Sequence, residues 1–280
     1  MKLLVVSNRL PFTLKLKEND FIFTPSSGGL VSGISSYLDY LKNSNIDSLE
    51  YVWIGWPGVF INEEMRQKFE SKAKEQNVVG VFIKDEEMED FYQGFCNKTI
   101  WPLFHYFQAY TTYKEEHYQT YKKINQIFAD KICEIAQEGD IVWIHDYHLM
   151  LVPNMVREKL GGKVKIGFFL HIPFPSFEVF RLLPTQWREE ILKGLLGSDL
   201  IGFHTNEYTY SFLRAVLRIL GTDHNLGKIY WDERIIKIDT FPMGIDFEKF
   251  NALSKKNEIQ EIFKKIKRKN KGRKDNIFSR

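Results

Sequence analysis

Two short apolar runs in this chain each end in a polar cluster, and this pattern constrains the fold more than any other feature. Residues 141–144 are continuously apolar and lead into the segment 145–148, which reads His-Asp-Tyr-His. Residues 164–170 are mostly apolar and lead into His171. Such runs are typical of strands buried on both faces of a parallel sheet, and ligands bind beyond the carboxyl ends of those strands. We therefore expect both clusters to lie at one ligand-binding edge.

The same kind of run recurs along the chain and alternates with amphipathic stretches. Strands are predicted over residues 2–7, 51–55, 78–83, 140–144, 164–170, 199–203 and 235–240. Helices are predicted over residues 29–42, 62–76, 112–137, 147–160, 185–196 and 206–220. Asn62 and Thr205 are suitable N-caps for two of them. Alternating strands and helices predict an α/β fold, with a Rossmann-like parallel sheet flanked by helices.

Length, charge and cysteine content restrict the class of protein. The 280 residues fit one large α/β domain or two small ones. The net charge of +3 is too small to indicate nucleic-acid binding. Cys96 and Cys133 lie far apart in the sequence and form no CxxC motif, which favours a reduced, cytoplasmic context. The first apolar run, residues 3–6, is too short for a signal sequence or a membrane helix, so no membrane partner is expected.

The last part of the chain differs from the rest. Residues 255–280 contain eleven Lys or Arg and three acidic residues. Apolar residues at helical spacing predict a short amphipathic helix there: Ile259, Ile262, Phe263 and Ile266. Residues 267–274 look like a solvated linker, and residues 276–279 look like the first strand of a further domain. We expect residues 1–250 to form one Rossmann-like domain and residues 251–280 to form a basic linker with the start of a second domain.

Two features after the first strand predict a phosphate site. Arg9 ends the polar triplet that follows this strand, and its planar guanidinium matches phosphate oxygens. The alternative is a surface arginine paired with a nearby carboxylate. Gly28 and Gly29 follow a predicted polar loop and open the first helix, where small residues let backbone N–H groups approach an anion. The alternative there is a flexible turn that only begins the helix.

Four aromatic residues are candidates for core or ligand contacts. Trp53 and Trp56 lie at the end of the second predicted strand. Trp53 is expected to be a core residue, whereas alternation places Trp56 beyond the strand, where its ring could pack against a sugar. Tyr92 and Trp101 belong to aromatic-rich segments that are expected to be mostly core. Their polar atoms need partners if buried, and either residue could donate to a phosphate.

The His and Asp residues at the two later strand ends allow two interpretations. His145 and His148 could bind a metal ion together with Asp146, but no further ligand follows at a suitable spacing. No metal is therefore expected, and both histidines are expected to be structural. Asp146 is a natural acceptor for sugar hydroxyls, and His171 could hydrogen-bond a substrate from the next strand. A single histidine there could also be a satisfied core or capping residue, but the repeat on two strands favours function.

A GxSxG nucleophile elbow and a Walker lysine loop are both absent from the sequence.

The segments around these residues together resemble the trehalose-6-phosphate synthase family. The HDYH and HIPFP segments, in this order, are highly specific. The resemblance extends from residue 1 to about residue 250 without a long gap. It rests on VVSNRLP at 5–11, SSGGLVSG at 26–33, WIGWPG at 53–58, FYQGFCN at 91–97, WPLFHY at 101–106, VWIHDYHLMLVP at 142–153, IGFFLHIPFPSFEVFRLLP at 166–184, GFHT at 202–205 and FPMGID at 241–246.

The resemblance implies a retaining glycosyltransferase of the two-domain GT-B type, of which this chain is the N-terminal half. Such enzymes transfer glucose from UDP-glucose to glucose 6-phosphate and need no metal or other cofactor. The N-terminal domain of the family mainly holds the acceptor. The second domain begins with a strand similar to residues 276–279 and neutralises the donor diphosphate. The resemblance therefore implies that UDP-glucose binds only when a C-terminal domain is present, and that these 280 residues alone are inactive.

The resemblance also implies roles at the acceptor phosphate. Arg9, Tyr92 and Trp101 match positions where the family binds this phosphate. Trp56 matches an aromatic residue of the acceptor site. These implied roles agree with the phosphate and sugar contacts that the residue types themselves favour.

Further implied roles concern the sugars and the donor. Asp146 matches the residue that holds the hydroxyls of the acceptor glucose, and His171 matches the position where the transferred glucose meets the acceptor. These two are the candidate catalytic residues. Gly28 and Gly29 match the loop beside the donor diphosphate. The implied transfer is a front-face reaction with retention, in which a donor phosphate oxygen takes the proton of the acceptor hydroxyl and no side chain acts as a nucleophile.

Other functions remain open from the sequence. One is a non-catalytic sugar-phosphate-binding or regulatory module that pairs with a full-length synthase. Another is a sister glucosyltransferase with a different acceptor, such as a glycerol phosphate, and the most remote is a metal-dependent hydrolase. A surface that normally meets a second domain would be exposed here, so the chain could associate with itself or with a complete synthase.

Overall fold

Nine strands form one mostly parallel sheet in the computed structural model, and two further strands form a separate hairpin. The structure describes residues 1–17, 20–26, 28–43, 50–245 and 247–269. The strands in these ranges are β1 (Lys2–Arg9), β2 (Phe12–Lys17), β3 (Asp20–Pro25), β4 (Glu50–Trp56), β5 (Val78–Gly80), β6 (Ile141–His145), β7 (Lys165–Phe169), β8 (Leu200–Phe203), β9 (His224–Asn225), β10 (Lys228–Trp231) and β11 (Arg234–Thr240).

The order of strands in the main sheet is β5-β4-β1-β6-β7-β8-β11-β10-β9. The first seven of these strands run parallel, and β10 and β9 add an antiparallel edge. The seven parallel strands coincide with the seven apolar runs of the sequence, so the predicted Rossmann-like α/β fold is confirmed. The chain extends the sheet first on the β4 side of β1 and later on the β6 side, so the strand order reverses between β1 and β6. Ligands of open α/β sheets bind at such a reversal.

The helices flank the sheet, and two of them have the caps that the sequence predicts. The side chain of Asn62 accepts a hydrogen bond from the N–H of Met65 at 3.1 Å, and Oγ1 of Thr205 accepts one from Tyr208 at 3.3 Å. Both bonds satisfy donors that a helix start leaves open. The α-helices are α1 (Gly29–Asn43), α2 (Glu63–Glu75), α3 (Asp85–Met88), α4 (Trp101–Phe104), α5 (Glu115–Ile135), α6 (Val152–Leu160), α7 (Phe177–Phe180), α8 (Thr185–Leu195), α9 (Asn206–Leu220), α10 (Phe247–Ser254) and α11 (Asn257–Lys269).

Both faces of the sheet are buried, as continuous apolar strands predict. In β1, Leu4 and Val6 belong to one core cluster, which also contains residues of α5, α6, α8 and α9. Leu3 and Val5 belong to a second cluster with residues of α1 and α2. All four side chains are at most 7% exposed. Burying a side chain of this size contributes about 1.5–3 kcal/mol, so the strand that leads to Arg9 is firmly held.

The hairpin of β2 and β3 corrects a prediction. The segment between the first strand and Gly28 is predicted as a polar loop, but its apolar and polar residues alternate, which favours a pair of strands. Leu14 and Phe21 are buried. The ring of Phe21 meets Phe69 of α2 edge-on, with ring centroids 5.7 Å apart. The hairpin therefore packs on the α2 side of the sheet instead of forming a loop.

Two other segments differ from the prediction. The helix predicted from residue 147 begins only at Val152, because Asp146 has a positive φ and a 3-10 turn over Tyr147–Leu149 follows it. The aromatic-rich segment, which the sequence pattern left unassigned, is helical and contains a π-helix over Glu89–Ile100. Such π-helical segments are rare and often occur at functional sites. Strand β5 is also shorter than predicted, since it ends at Gly80.

A second compact unit follows at residue 243. Its helix α11 confirms the predicted amphipathic helix, and the expected domain boundary at residue 250 falls within α10. The linker is predicted over residues 267–274, but residues 267–269 belong to α11, because the helix continues past its apolar positions. The rest of that linker and the predicted strand at 276–279 lie outside the described residues. Within the described ranges, no helix combines the length and the apolar composition that crossing a membrane requires.

Candidate functional site

Five neighbouring parallel strands end at the same edge of the sheet, and each brings a polar or aromatic residue there. The reversal of strand order between β1 and β6 lies in the middle of this edge. Parallel strands place their carboxyl ends side by side, so these residues form one candidate site. They are Arg9 of β1, Trp56 of β4, Asp146 after β6, His171 after β7 and His204 after β8.

The end of β1 is irregular, and its position depends on Gly55 of β4. The pairing register of the two strands shifts between Val6 and Arg9. Oγ of Ser7 donates to the carbonyl oxygen of Arg9 at 2.7 Å and accepts from Nε1 of the buried Trp53 at 2.8 Å. A Cβ on Gly55 would lie 2.8–2.9 Å from backbone atoms of the β1 end. Glycine at this position therefore permits the close approach that fixes the backbone of Arg9.

We expect Gly55→Ala to destabilise the fold and to displace Arg9. The added Cβ would meet three backbone atoms closer than 3.0 Å, and no side-chain rotation can relieve such contacts. Forced overpacking of this kind costs about 1–3 kcal/mol, which chemical denaturation can measure. Gly162→Ala is the matched control, because a Cβ there meets nothing within 4 Å. Equal unfolding midpoints for the two variants would contradict this account.

The guanidinium of Arg9 lies between two aromatic rings. Its Cζ is 5.0 Å from the ring centroid of Trp56 and 5.5 Å from that of Tyr92. Each contact contributes about 0.5–1 kcal/mol at an exposed site. Cation–π contacts do not consume the N–H donors of the guanidinium, so these remain suited to binding oxygens. The rings therefore hold a positive charge in a fixed orientation at the centre of the edge.

Trp56 does not lie where the sequence pattern places it. It is the last residue of β4 instead of lying beyond the strand, and it is only 7% exposed. Its Nε1 is buried without a hydrogen-bond partner among the described residues, and the same holds for Oδ1 of Asn8. Buried polar atoms without partners are unusual in proteins. Trp56 therefore packs behind Arg9, and a direct contact with a ligand remains a proposal.

Tyr92 connects Arg9 to His148. It belongs to the π-helix, and its ring stacks on His148 with centroids 5.6 Å apart and an interplanar angle of 8°. His148 is buried, and neither of its ring nitrogens has a partner among the described residues. Burial and the nearby charge of Arg9 lower the pKa of His148 to about 3. His148 is therefore a neutral ring that supports Tyr92 from behind.

Asp146 combines a strained backbone with a buried carboxyl group. Its φ of 74° and ψ of 168° lie in a region that is almost restricted to glycine and that costs on the order of 1–3 kcal/mol. Its Oδ1 accepts a hydrogen bond from the backbone N–H of His171 at 3.2 Å, and its Oδ2 lies 3.9 Å from Nδ1 of His148. Burial raises the pKa of Asp146 to about 7, although backbone hydrogen bonds from Tyr147 and His171 oppose the rise. This carboxyl group therefore changes charge near neutral pH.

Three histidines lie side by side after β6, β7 and β8. Nδ1 of His145 is 3.0 Å from Nε2 of His171, and the rings of His171 and His204 have centroids 5.7 Å apart. His145 is completely buried, while the other two are partly accessible. Burial lowers the pKa of all three, and for His171, where His204 adds to the effect, it falls to about 3. His171 therefore meets a ligand as a neutral imidazole.

Three predicted site residues do not contact this group within the described part of the chain. Trp101 begins α4, is 41% exposed and stacks on His105 with centroids 4.2 Å apart. Gly28 and Gly29 are exposed at the start of α1, where an added Cβ would meet at most Oγ of Ser26 at 4.0 Å. No contact within the described ranges therefore requires glycine at these two positions, and the space beside them is open to a ligand.

Sequence reasoning missed one residue of the edge, His204, and it placed Asn8 at the edge without predicting its burial. His204 follows an apolar run at 199–203, so the strand-end argument applied to His171 would have found it. Asn8 precedes Arg9, and no sequence signal shows that its Oδ1 is buried without a partner. In the described ranges, no three His, Cys, Asp or Glu side chains lie together in a way that could hold a metal ion.

The sheet and its strand ends correspond to the N-terminal half of a GT-B glycosyltransferase, as the solved structures that superpose on this chain show. The model of glycosyltransferase family 20 matches residues 1–280, and the chain belongs to this family.

Two relatives and one solved structure illustrate the similarity. The chain is 44% identical over 280 residues to the bifunctional trehalose-6-phosphate synthase/phosphatase of Thermoproteus tenax, covering 100% of this chain and 37% of that protein. It is 44% identical over 276 residues to the UDP-forming alpha,alpha-trehalose-phosphate synthase of Emericella nidulans, with coverages of 97% and 53%. The trehalose-6-phosphate phosphatase N-terminal domain of Candida albicans superposes with a TM-score of 0.81 at 30% identity, with coverages of 98% and 55%. The chain thus spans about half, or less, of the length of these relatives.

Proposed function

We propose that this chain is the acceptor-binding half of a UDP-forming α,α-trehalose-phosphate synthase, which transfers glucose from UDP-glucose to glucose 6-phosphate in trehalose biosynthesis. The observation that carries the proposal is the guanidinium of Arg9 between Trp56 and Tyr92. The ring of His148 continues this stack towards the carboxyl group of Asp146. A sugar phosphate offers complementary groups, because its phosphate suits the guanidinium and its hydroxyls suit the carboxyl group. The names of two relatives support this reaction.

In this proposal the phosphate of glucose 6-phosphate binds at Arg9. Tyr92 and Trp101 add donors, through a hydroxyl and an indole N–H respectively. Trp56 lines the acceptor site from behind and orients Arg9. The partial exposure of Trp101 supports a role for it at the ligand.

The sugar and the donor bind next to this phosphate site. Asp146 accepts hydrogen bonds from hydroxyls of the acceptor glucose, and His171 contacts the glucose that is transferred. Gly28 and Gly29 lie beside the donor diphosphate. The transfer retains configuration, with the proton of the acceptor hydroxyl passing to a donor phosphate oxygen, and it uses no metal, cofactor or covalent intermediate. Charge stabilisation then supplies most of the acceleration.

We expect the 280-residue chain alone to release no UDP above background from UDP-glucose and glucose 6-phosphate. The chain covers 53% of the Emericella relative, and a donor site between two domains needs the other half. A coupled UDP assay measures this, with a chimera that joins residues 1–245 to the C-terminal half of that relative as the positive control. UDP release by the chain itself would contradict the assignment of an acceptor half.

Calorimetry of the chain with small ligands tests the binding function directly. We expect glucose 6-phosphate to bind at least tenfold more tightly than glucose, because a charge-assisted hydrogen bond contributes about 1.5–3 kcal/mol. Glycerol 3-phosphate is the competing probe for a sister transferase with another acceptor. Tighter binding of glycerol 3-phosphate than of glucose 6-phosphate would favour that alternative, and equal binding of glucose and glucose 6-phosphate would contradict a phosphate site.

A second candidate function is a non-catalytic sugar-phosphate-binding module. The similarity to the N-terminal domain of a trehalose-6-phosphate phosphatase favours it, since that domain is named as part of a protein with a different reaction. Both candidates bind sugar phosphates, but only the first gains UDP-forming activity in the chimera. Binding without activity in a folded chimera would favour the module, acting as a partner of a full-length synthase.

The cellular setting completes the proposal. Cys96 and Cys133 are unpaired, which supports a reducing cytoplasmic compartment. The apolar face of α11 is exposed and supports association with a second copy or with a complete synthase. Light scattering of the purified chain over a range of concentrations measures this association.

A further inference from the structure

We propose that His145 is a positioning residue for His171: the Nδ1–H of His145 donates to Nε2 of His171 and fixes the tautomer in which His171 presents its own Nδ1–H to a ligand. Only the nature of that ligand, an oxygen atom of a sugar, rests on the function proposed above. The sequence pattern alone assigns His145 only a structural role.

The two rings are held at hydrogen-bonding distance by the strands that carry them. Nδ1 of His145 lies 3.0 Å from Nε2 of His171. His145 pairs with Phe169 across β6 and β7, and the backbone N–H of His171 is bonded to Asp146 at 3.2 Å. The ring of His145 also packs against Trp143 with centroids 4.3 Å apart, and the residue is 0% exposed. The packing of the His145 ring and the anchored backbone of His171 hold the two rings next to each other, so the pair is a fixed feature of the two strand ends.

The direction of the hydrogen bond follows from the other nitrogen of His145. Burial lowers the pKa of both imidazoles, so both are neutral and each carries one N–H. Nε2 of His145 is buried and has no partner among the described residues. If this atom carried the proton, a buried N–H donor would be unsatisfied, which is rarer in proteins than an unsatisfied acceptor. The proton of His145 therefore lies on Nδ1, and Nε2 of His171 accepts it.

A fixed tautomer determines what His171 can do for a ligand. Its Nε2 is occupied by His145, so Nδ1 is the nitrogen that remains for other contacts. Because His171 is partly accessible, this N–H can donate to a hydroxyl or ring oxygen of a sugar. The same nitrogen cannot take a proton, so His171 acts as a hydrogen-bond donor and not as a general base. His145 sets this property without touching the ligand.

Nitrogen NMR of the 280-residue chain with ring-¹⁵N-labelled histidine tests the proposal, because protonated and unprotonated imidazole nitrogens have well-separated shifts. The seven histidines can be assigned by single substitutions. In the wild type we expect a protonated Nδ1 and an unprotonated Nε2 on His171. His145→Phe keeps a ring but removes the donor, so the Nε2–H form that free histidine prefers should become the major one. His145→Asn keeps an amide donor near the same position and should retain most of the wild-type tautomer.

His117→Phe is the matched control for these spectra. It also removes a buried imidazole, but that ring packs beside Gly94 of the π-helix, so the signals of His171 should not change. A wild-type His171 with its proton on Nε2 would overturn the proposal, and so would an unchanged tautomer in folded His145→Phe. If His145→Phe does not fold, the wild-type and His145→Asn spectra still decide the question. The measurement uses no ligand, so its result is independent of whether glucose 6-phosphate binds.

Discussion

Arg9→Ala is expected to weaken the binding of glucose 6-phosphate roughly 100-fold while the chain stays folded. The variant removes the only charge that lies between Trp56 and Tyr92 among the described contacts. A charge-assisted hydrogen bond contributes about 1.5–3 kcal/mol, and a factor of ten in affinity corresponds to 1.4 kcal/mol. Binding of unphosphorylated glucose should change far less, because the guanidinium is assigned to the phosphate. Calorimetry with both ligands measures this difference.

Two further variants separate the charge of Arg9 from its shape. Arg9→Lys keeps the charge but loses the planar fork and the stacking, so we expect an intermediate loss of affinity. Arg66→Ala is the matched control, because Arg66 also lies over an aromatic ring, with its Cζ 4.7 Å from the centroid of Phe82. Arg66 belongs to α2 and is paired with Glu63 at 2.7 Å, so its removal should leave glucose 6-phosphate binding unchanged. Equal losses for Arg9→Ala and Arg66→Ala, or none for Arg9→Ala, would exclude a phosphate site at Arg9.

The sequence predicts which residues reach this edge because strand ends follow from apolar runs. Arg9, Asp146 and His171 each lie in the polar cluster that follows such a run, and parallel pairing brings the three runs together. The strand that carries Trp56 is also correctly predicted, but the predicted strand ends one residue before the observed strand does. That small error matters, because it places the indole outside the sheet instead of behind Arg9.

The contacts between these residues depend on three-dimensional details that the sequence pattern does not contain. Tyr92 meets Arg9 because a π-helix changes the helical register of an aromatic segment, and no periodicity of 3.6 residues indicates this. The close approach at Gly55 depends on an irregular end of β1. His145 meets His171 only because of the relative register of β6 and β7. The residues at the strand ends can therefore be predicted from the sequence, whereas the contacts between their side chains cannot.

The buried ionisable groups at this edge indicate that the site sacrifices stability for function. Asp146 holds a carboxyl group in a poorly hydrated position, while His148 and His171 remain neutral beside it. A low local dielectric strengthens hydrogen bonds to a ligand, but it also penalises any charge that has no partner. Relieving that penalty should stabilise the empty protein and weaken the bound state. The clearest place to test this is Asp146.

Asp146→Asn is expected to stabilise the empty chain by about 4 kcal/mol at pH 8, because burial raises the pKa of Asp146 to about 7 from its ordinary value of 3.8. The folded state then binds the proton more tightly than the unfolded state does. Wild-type stability is therefore highest below pH 3.8 with respect to this group, and it falls as the pH rises through 7. Asparagine has no proton to lose, and it keeps an oxygen that can accept from the N–H of His171.

The difference between variant and wild type isolates this group. Both share the strained backbone at residue 146, so the strain cancels, and the pKa values of His148 and His171 near 3 keep these rings neutral from pH 4 to pH 8. Denaturant unfolding at several pH values should show a difference that grows between pH 4 and pH 7 and then levels off. Affinity for glucose 6-phosphate at pH 8 should fall at least tenfold in the same variant, since a hydrogen bond to a charged group contributes about 1.5–3 kcal/mol.

Asp140→Asn provides a control of opposite sign at the other end of the same strand. The carboxylate of Asp140 is buried and accepts hydrogen bonds from the backbone N–H groups of Lys2 at 2.7 Å and Gln137 at 2.9 Å. Its neutralisation should destabilise the fold by about 1–3 kcal/mol, because an amide accepts such bonds less strongly and brings an unpaired donor. If Asp146→Asn also destabilises the chain at pH 8, or if its gain does not depend on pH, the carboxyl group of Asp146 is held by partners that favour its charge, and the argument from burial is wrong.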